Sequence, residues 1–294
     1  MSAPAFKKIT IIGFGLIGSS LARVIRRDNL AEKIVCGDSN PEVCKKALEL
    51  KLADVAGTDL AVAVRGADLV VLAIPVGACG EVAKTIAGSL ADGAVITDAG
   101  SVKQTVIAAV MPHLPPHAYF VPAHPIAGTE HSGPEAGFAE LFQGRWCILT
   151  PLPDTPLRAI EKVTKLWEAG GAMVEIMEPK RHDLVLAITS HLPHLIAYSI
   201  VDTAATLEEH TKAEVIKYSA SGFRDFTRIA ASDPVMWRDI FLNNKEAVLE
   251  ILQRFTEDLT ALQKAIRTGD GATLQDVFTR TRIIRRAIIQ AKQS

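Results

Sequence analysis

Ile9-Thr10-Ile11-Ile12-Gly13-Phe14-Gly15-Leu16-Ile17-Gly18 decides the fold, because a short apolar run feeds a glycine-rich turn and a helix-like stretch follows at once. The three glycines stand at the G-x-G-x-x-G spacing. That spacing permits a tight turn, close approach of backbone to a pyrophosphate, and close packing of helix on strand. On its own it is weak evidence. A second strand, Lys33-Ile34-Val35-Cys36-Gly37, ends at Asp38, 20 residues after Gly18. A carboxylate there accepts hydrogen bonds from an adenosine ribose. Together these signals predict a dinucleotide site, against the plainer alternative of a tight turn plus a surface Asp. Asp38 would also repel a 2′-phosphate, and Ser39, Asn40 and Pro41 supply no Arg or Lys to receive one. The expected cofactor is therefore NAD rather than NADP.

Working outward, the 294 residues are enough for two domains, and 48% of them are hydrophobic, ample for sizeable cores. Lys plus Arg (32) nearly balance Asp plus Glu (33), so no overall field draws nucleic acid or a membrane surface. Any acidic ligand must be held by a few placed cations. Cys36, Cys44, Cys79 and Cys147 show no paired spacing and read as reduced, packed thiols of a cytoplasmic protein. No signal-peptide core precedes the glycine loop, and no uncharged apolar run is expected to approach the ~18 residues that span a bilayer.

After Asp38 helix and strand alternate, which predicts an α/β fold with a Rossmann-type, doubly wound, mostly parallel sheet. Helices are expected over 41–50, 77–90 and 102–111, with strands at 68–74, 94–97 and 119–123, the last ending at His124. From Pro125 to Gly144 the glycines and mixed polar residues predict a loop excursion of the kind that carries function. Strands return at 146–149 and 173–176. Beyond Pro179 only helices read convincingly, over 184–205, 212–219, 235–262 and 274–293. This divides the chain into 1–178, the dinucleotide-binding domain, and 179–294, an all-helical domain. Leu184 to Val201 is apolar nearly all round, which suggests a subunit interface as well as a core.

In a parallel sheet the ligand lies outside the carboxyl ends of the strands. Ile74 and Pro75, at one such end, should pass near the cofactor. Asp98-Ala99-Gly100-Ser101-Val102-Lys103 offers a hydroxyl and a helix start, although Ser101 taken alone reads first as a plain helix N-cap. His124, fixed between a strand and Pro125, suits a general base; the alternative is a structural His bonding local backbone. His191 and His194 lie three apart on one helix face, but no thiol or carboxylate set completes a zinc site, so packing or substrate hydrogen bonding is the better reading and no metal is expected. Arg228, followed by Ile229-Ala230-Ala231, is expected to be partly buried and to need an anion such as a substrate carboxylate.

These residues carry a family resemblance. Gly13 to Gly18, Asp98 to Lys103, His124-Pro125-Ile126-Ala127-Gly128-Thr129-Glu130, His182-Asp183 with Ser190-His191-Leu192-Pro193-His194, and Asp225-Phe226-Thr227-Arg228 leading to Met236-Trp237 resemble the prephenate/arogenate (cyclohexadienyl) dehydrogenases of tyrosine biosynthesis. The resemblance implies hydride transfer to NAD from the carbinol carbon of a cyclohexadienol, with loss of carbon dioxide and aromatisation. It implies that His124 takes the hydroxyl proton, with Ser101 aligning substrate and cofactor. Arg228 would bind a carboxylate, His191, His194 and Glu130 would shape the pocket, and Asp225 would position Arg228. It further implies a homodimer built by the helical domain. It leaves open whether prephenate or arogenate is preferred and whether tyrosine inhibits. Two readings compete: a β-hydroxyacid or imine reductase, against which His124 in its Pro-Ile-Ala-Gly-Thr context argues, and a non-enzymatic NAD-sensing regulator, for which the balanced charge offers no partner surface.

Overall fold

Strand order follows from which apolar runs are buried on both faces. In the computed structural model, which describes residues 4–129, 131–206 and 221–290, β1 (Phe6–Ile12), β2 (Ala31–Gly37), β3 (Val55–Gly57), β4 (Leu69–Leu72), β5 (Val95–Asp98) and β6 (Tyr119–Phe120) form one all-parallel sheet in the order 3-2-1-4-5-6. The connections carry α1 (Leu16–Arg27), α2 (Pro41–Glu49), α3 (Leu60–Val64), α4 (Cys79–Ile86) and α5 (Gln104–Val110). Every residue of β4 is buried, as in a strand covered on both faces. Alternate residues of β1 divide between two cores: Ile9 and Ile11 pack with Leu21 and Ile25, whereas Ile12 packs with Val70, Leu72 and Val106. The order reverses between β1 and β4, which opens the crevice where a Rossmann-type sheet takes its ligand.

Residues 119–123 were expected as one strand and are instead split between two sheets. Val121 still donates to Ile96 O (2.9 Å), but Pro122 has no N–H to continue the ladder. The chain then joins a second sheet of β7 (Ala123–Pro125), β8 (Trp146–Leu149) and β9 (Met173–Ile176), in which β7 runs antiparallel to β8 and β9 parallel to it. α6 (Leu157–Ala169) links β8 to β9 and packs Trp167, fully buried, into the first core. His124 therefore sits within β7 rather than just beyond a strand.

The helical half begins with α7 (Pro179–Leu186), capped by Glu178, whose carboxylate accepts the N–H groups of Lys180 and Arg181. A π-helical turn, Ala187–His191, follows and leads into α8 (Leu192–Ala205) with Pro193 in its first turn. This stretch corrects the expectation about apolar runs, since Pro179–Ala205 is long and apolar enough, by length and composition, to cross a bilayer. It nevertheless buries His182, Asp183 and His191, and its apolar Leu184, Ile188, Ile200 and Val201 are exposed on the protomer. The helix expected over 212–219 lies outside the described residues. α9 (Ser221–Thr227) is followed by a 3-10 turn, Arg228–Ala231. The single helix expected over 235–262 is two, α10 (Pro234–Asn243) and α11 (Lys245–Thr268), separated at Asn244. α12 (Gly271–Gln290) completes the described chain. Residues 1–245 form one compact unit, and 246–294, most of α11 together with α12, form another.

Candidate active site

The glycine loop and the end of β2 build the first half of the site. Gly13 has φ +88°, and a side chain there would run into the Ala73 carbonyl and Ile74. A side chain at Gly18 would overlap the Gly13 carbonyl, so both positions exclude any Cβ. Nothing lies within 4 Å of the corresponding point at Gly15, where α1 begins, so the loop leaves open space in front of the first-turn N–H groups of α1. A pyrophosphate fits that cradle. Phe14 buries its ring completely and gives its N–H to Asp38 Oδ2 (2.9 Å), while Asn40 N–H binds Asp38 Oδ1 (2.9 Å). Two backbone amides thus pin the half-buried Asp38 carboxylate beside the loop. Ile74 is half-buried against Gly13, and Pro75 is exposed next to it.

The second half gathers around β5, β7 and α7. Asp98 and Lys103 are fully buried and form an ion pair. Lys103 Nζ also donates to Ala123 O (2.6 Å), and Asp98 accepts the N–H groups of Gly100 (2.8 Å) and Ala123 (3.1 Å). This pair ties the loop carrying Ser101 to the strand carrying His124. Ser101 is half-buried and is not the cap of α5. The cap comes instead from Asp183 on α7, whose carboxylate accepts Lys103 N–H (2.8 Å) and Gln104 N–H (2.9 Å). His124 Nδ1 lies 2.8 Å from His182 Nε2, and His182 Nδ1 lies 2.9 Å from Asp183 Oδ1.

Burial dominates the titration of this cluster. It pushes His124 well below the ordinary imidazole range, with further lowering from His182, Lys103 and His191. His182 is lowered by burial against the opposing pull of Asp183. Burial works to raise Asp183, yet its bonds to His182 and to the amides of Lys103 and Gln104 hold its carboxyl below the usual range. The result is a neutral imidazole beside a carboxylate kept ionised.

The helical side supplies two further imidazoles in different settings. His191 is 1% exposed and lowered to about 4 by burial; its Nδ1 meets Asn244 Nδ2 at 3.0 Å, and its Nε2 has no partner. Asn244, at the break between α10 and α11, also donates to Asp183 O (2.9 Å). His194 is half-buried, stacks on Trp237 with ring centroids 3.6 Å apart, and is lowered by burial. Among the described residues no cluster of metal-ligating groups occurs.

Two expectations need correction. Arg228 is exposed rather than partly buried: it opens a 3-10 segment in which Ile229 and Ala230 are only half-buried, and its charge still lowers His194. Asp225 is exposed, and no ion pair joins it to Arg228 among the described residues. Glu130 lies outside the described residues. The residues that the sequence reading left without a role are Asp98, Lys103, His182, Asp183, Trp237 and Asn244. His182-Asp183 follow Lys180-Arg181, and Asn244 stands between Asn243 and Lys245, so their local sequence carried no sign of burial.

Comparison with known proteins agrees with this geometry. The family model "Prephenate dehydrogenase, nucleotide-binding domain" matches residues 21–176, and "Prephenate dehydrogenase, dimerization domain" matches 178–280. The chain is 44% identical to a cyclohexadienyl dehydrogenase of Zymomonas mobilis over 96% of each chain. Its fold is similar to a crystal structure of Aquifex aeolicus prephenate dehydrogenase in complex with hydroxyphenyl propionate and NAD+, with TM-score 0.89 and 37% identity over 96% of this chain and 98% of that one. It is also similar to Synechocystis arogenate dehydrogenase, with TM-score 0.82 and 26% identity over 96% and 99% of the two chains.

Proposed function

The chain belongs to the prephenate dehydrogenase family, and on that premise we propose that it carries out the NAD-dependent oxidative decarboxylation of prephenate, arogenate or both, giving 4-hydroxyphenylpyruvate or tyrosine. The observation that carries the reading is His124, a buried neutral imidazole on β7 that the Asp98–Lys103 pair ties to the carboxyl end of β5, in a chain similar to cyclohexadienyl dehydrogenase over nearly its whole length. Gly13 to Gly18 would cradle the pyrophosphate, Asp38 would bind the adenosine ribose, and Ile74, Pro75 and Ser101 would line the nicotinamide end. Bound NAD supplies the hydride acceptor.

His124 takes the proton of the substrate hydroxyl as the carbinol hydrogen leaves with its electron pair. The ring carboxylate then departs as carbon dioxide, its bonding electrons complete the aromatic ring, and the proton held on His124 returns to the phenolate oxygen. Most of the driving force is aromatisation, so the protein's task is orientation and proton transfer. Ser101, free of any capping duty, aligns hydroxyl and cofactor. Arg228 and His194 receive a substrate carboxylate on the helical side, and His191, Glu130 and Asp225 complete the set of residues proposed to serve the substrate.

Residues 1–178 form the NAD-binding half in this reading, and 179–294 build a homodimer through faces that include the exposed Leu184, Ile188, Ile200 and Val201. Tyrosine shares arogenate's side chain and would compete for the same pocket. A biosynthetic enzyme with four free, buried cysteines belongs in the cytoplasm. The test is steady-state turnover of the purified protein with NAD and each substrate separately: NADH and carbon dioxide should form in equal amounts with at least one of them. No NADH from either substrate would refute the assignment.

A further inference from the structure

We infer that His182 is a positioning residue that fixes the tautomer of His124, so that the base presents an unprotonated Nε2; this rests on His124 being the base. Three side chains, Asp183, His182 and His124, share two protons in a line. An ionised carboxylate only accepts hydrogen bonds. Asp183 already accepts the two backbone N–H groups at the start of α5, at 2.8 and 2.9 Å, so the contact of its Oδ1 with His182 Nδ1 at 2.9 Å requires an N–H on that nitrogen. A neutral His182 then has a bare Nε2. That atom lies 2.8 Å from His124 Nδ1, and two ring nitrogens at this distance need one proton between them. Only His124 can supply it. A neutral His124 with its proton on Nδ1 has its lone pair on Nε2, the atom left for the substrate.

The rings meet edge to face, at 65° with centroids 5.1 Å apart, so they touch through this one nitrogen–nitrogen contact rather than by stacking. Every charged or titratable group packed around His124 fits the same assignment. Lys103 is paired with Asp98, His191 is neutral, and the Cys147 thiol on β8 is pushed up by burial and carries no charge. When His124 accepts the substrate proton, its Nδ1–H still points at His182, and the new positive charge is shared toward Asp183 without the carboxylate taking a proton. The arrangement has the logic of a catalytic triad in which a second imidazole stands between base and carboxylate.

The test uses the full chain with NAD and whichever substrate it turns over. His182→Leu leaves His124 Nδ1 without an acceptor, so kcat should fall roughly 10²-fold, within the usual contribution of a general base, while KM for NAD and substrate stays within about threefold. The acid limb of the kcat profile should be displaced, because His124 loses both its neighbour imidazole and its link to Asp183. His182→Gln offers a carbonyl oxygen near the position of Nε2 and should recover about tenfold of the loss, with the limb still displaced. Equal damage in both variants with an unmoved limb would reduce His182 to packing and overturn the inference. Near-native kcat in His182→Leu would overturn it too. Should His182→Leu fail to fold, the limb of His182→Gln decides alone. His124→Asn, measured in parallel, separates the two levels: if it retains turnover, the base itself is misassigned; if it is inactive while His182→Leu is not, only the positioning role fails.

Discussion

Lys103→Met is the perturbation whose cost can be worked most fully from the structure. The side chain is fully buried, its ammonium is paired with the fully buried Asp98, and it donates to Ala123 O at 2.6 Å. Methionine keeps the length and removes the charge. Asp98 would then keep only the amides of Gly100 and Ala123 against the loss of hydration, and the Ala123 carbonyl would lose its side-chain donor. Removing one member of a buried pair costs about 3–5 kcal/mol, because the remaining charge stays in a low-dielectric site. At roughly 2–4 °C per kcal/mol for a chain of this size class, the melting temperature should fall by about 6–20 °C. Scanning calorimetry on the single variant and on Asp98→Asn/Lys103→Met separates charge from packing: the double variant removes the isolated carboxylate and should recover at least about 1 kcal/mol. kcat should also fall at temperatures where the single variant is folded, since Ser101 lies between the paired residues and His124 follows Ala123. A single variant within about 1 kcal/mol of the parent would refute the reasoning, because it would mean that the buried carboxylate needs no cation.

Three further outcomes are expected. Efficiency with NAD should exceed that with NADP by at least about tenfold, the ~1.4 kcal/mol of one lost charge-assisted contact, and equal use of both would remove Asp38 from the ribose site. His124, His182, His191 and His194 are all lowered in the fold, so between their folded values and about 6.5 the unfolded chain binds more protons. Stability should therefore be fully present above about pH 6.5 and decline as pH falls toward 4, with His191 alone contributing about 3 kcal/mol of that loss; flat denaturation midpoints across this window would contradict the burial of neutral imidazoles. Arg228→Ala should raise the substrate KM about 10- to 100-fold with kcat changed far less, as expected for loss of one charged hydrogen bond made both before and during the reaction.

The half of the site that lies in one stretch of chain was legible in the sequence. Gly13 to Gly18 and Asp38 are read by spacing, because loop, strand end and carboxylate are set by local backbone geometry, and two amides hold Asp38 beside the loop. The doubly wound parallel sheet followed from the alternation of helix and strand patterns, except at Pro122, where a missing N–H rather than a loss of hydrophobicity sends the chain into another sheet. Ser101 misled because N-capping was weighed only among neighbours, whereas the acceptor came from Asp183, 80 residues beyond Lys103. Arg228 misled because apolar residues after a charge say nothing of where the charge points once the helix tightens into a 3-10 turn. His182 stood in the quoted strings, yet its contact with His124 joins a strand to a helix 58 residues later, and no periodicity encodes that distance.

The central claim is that His124 carries the proton of the substrate hydroxyl. Turnover of His124→Asn, measured beside the parent with saturating NAD, tests it most directly, since asparagine keeps much of the size and hydrogen bonding of the imidazole and removes the base. The account predicts a fall in kcat of about 10² to 10⁴ with NAD affinity little changed. Near-full turnover with normal substrate binding would contradict it and pass the proton to another group, His194 or a water.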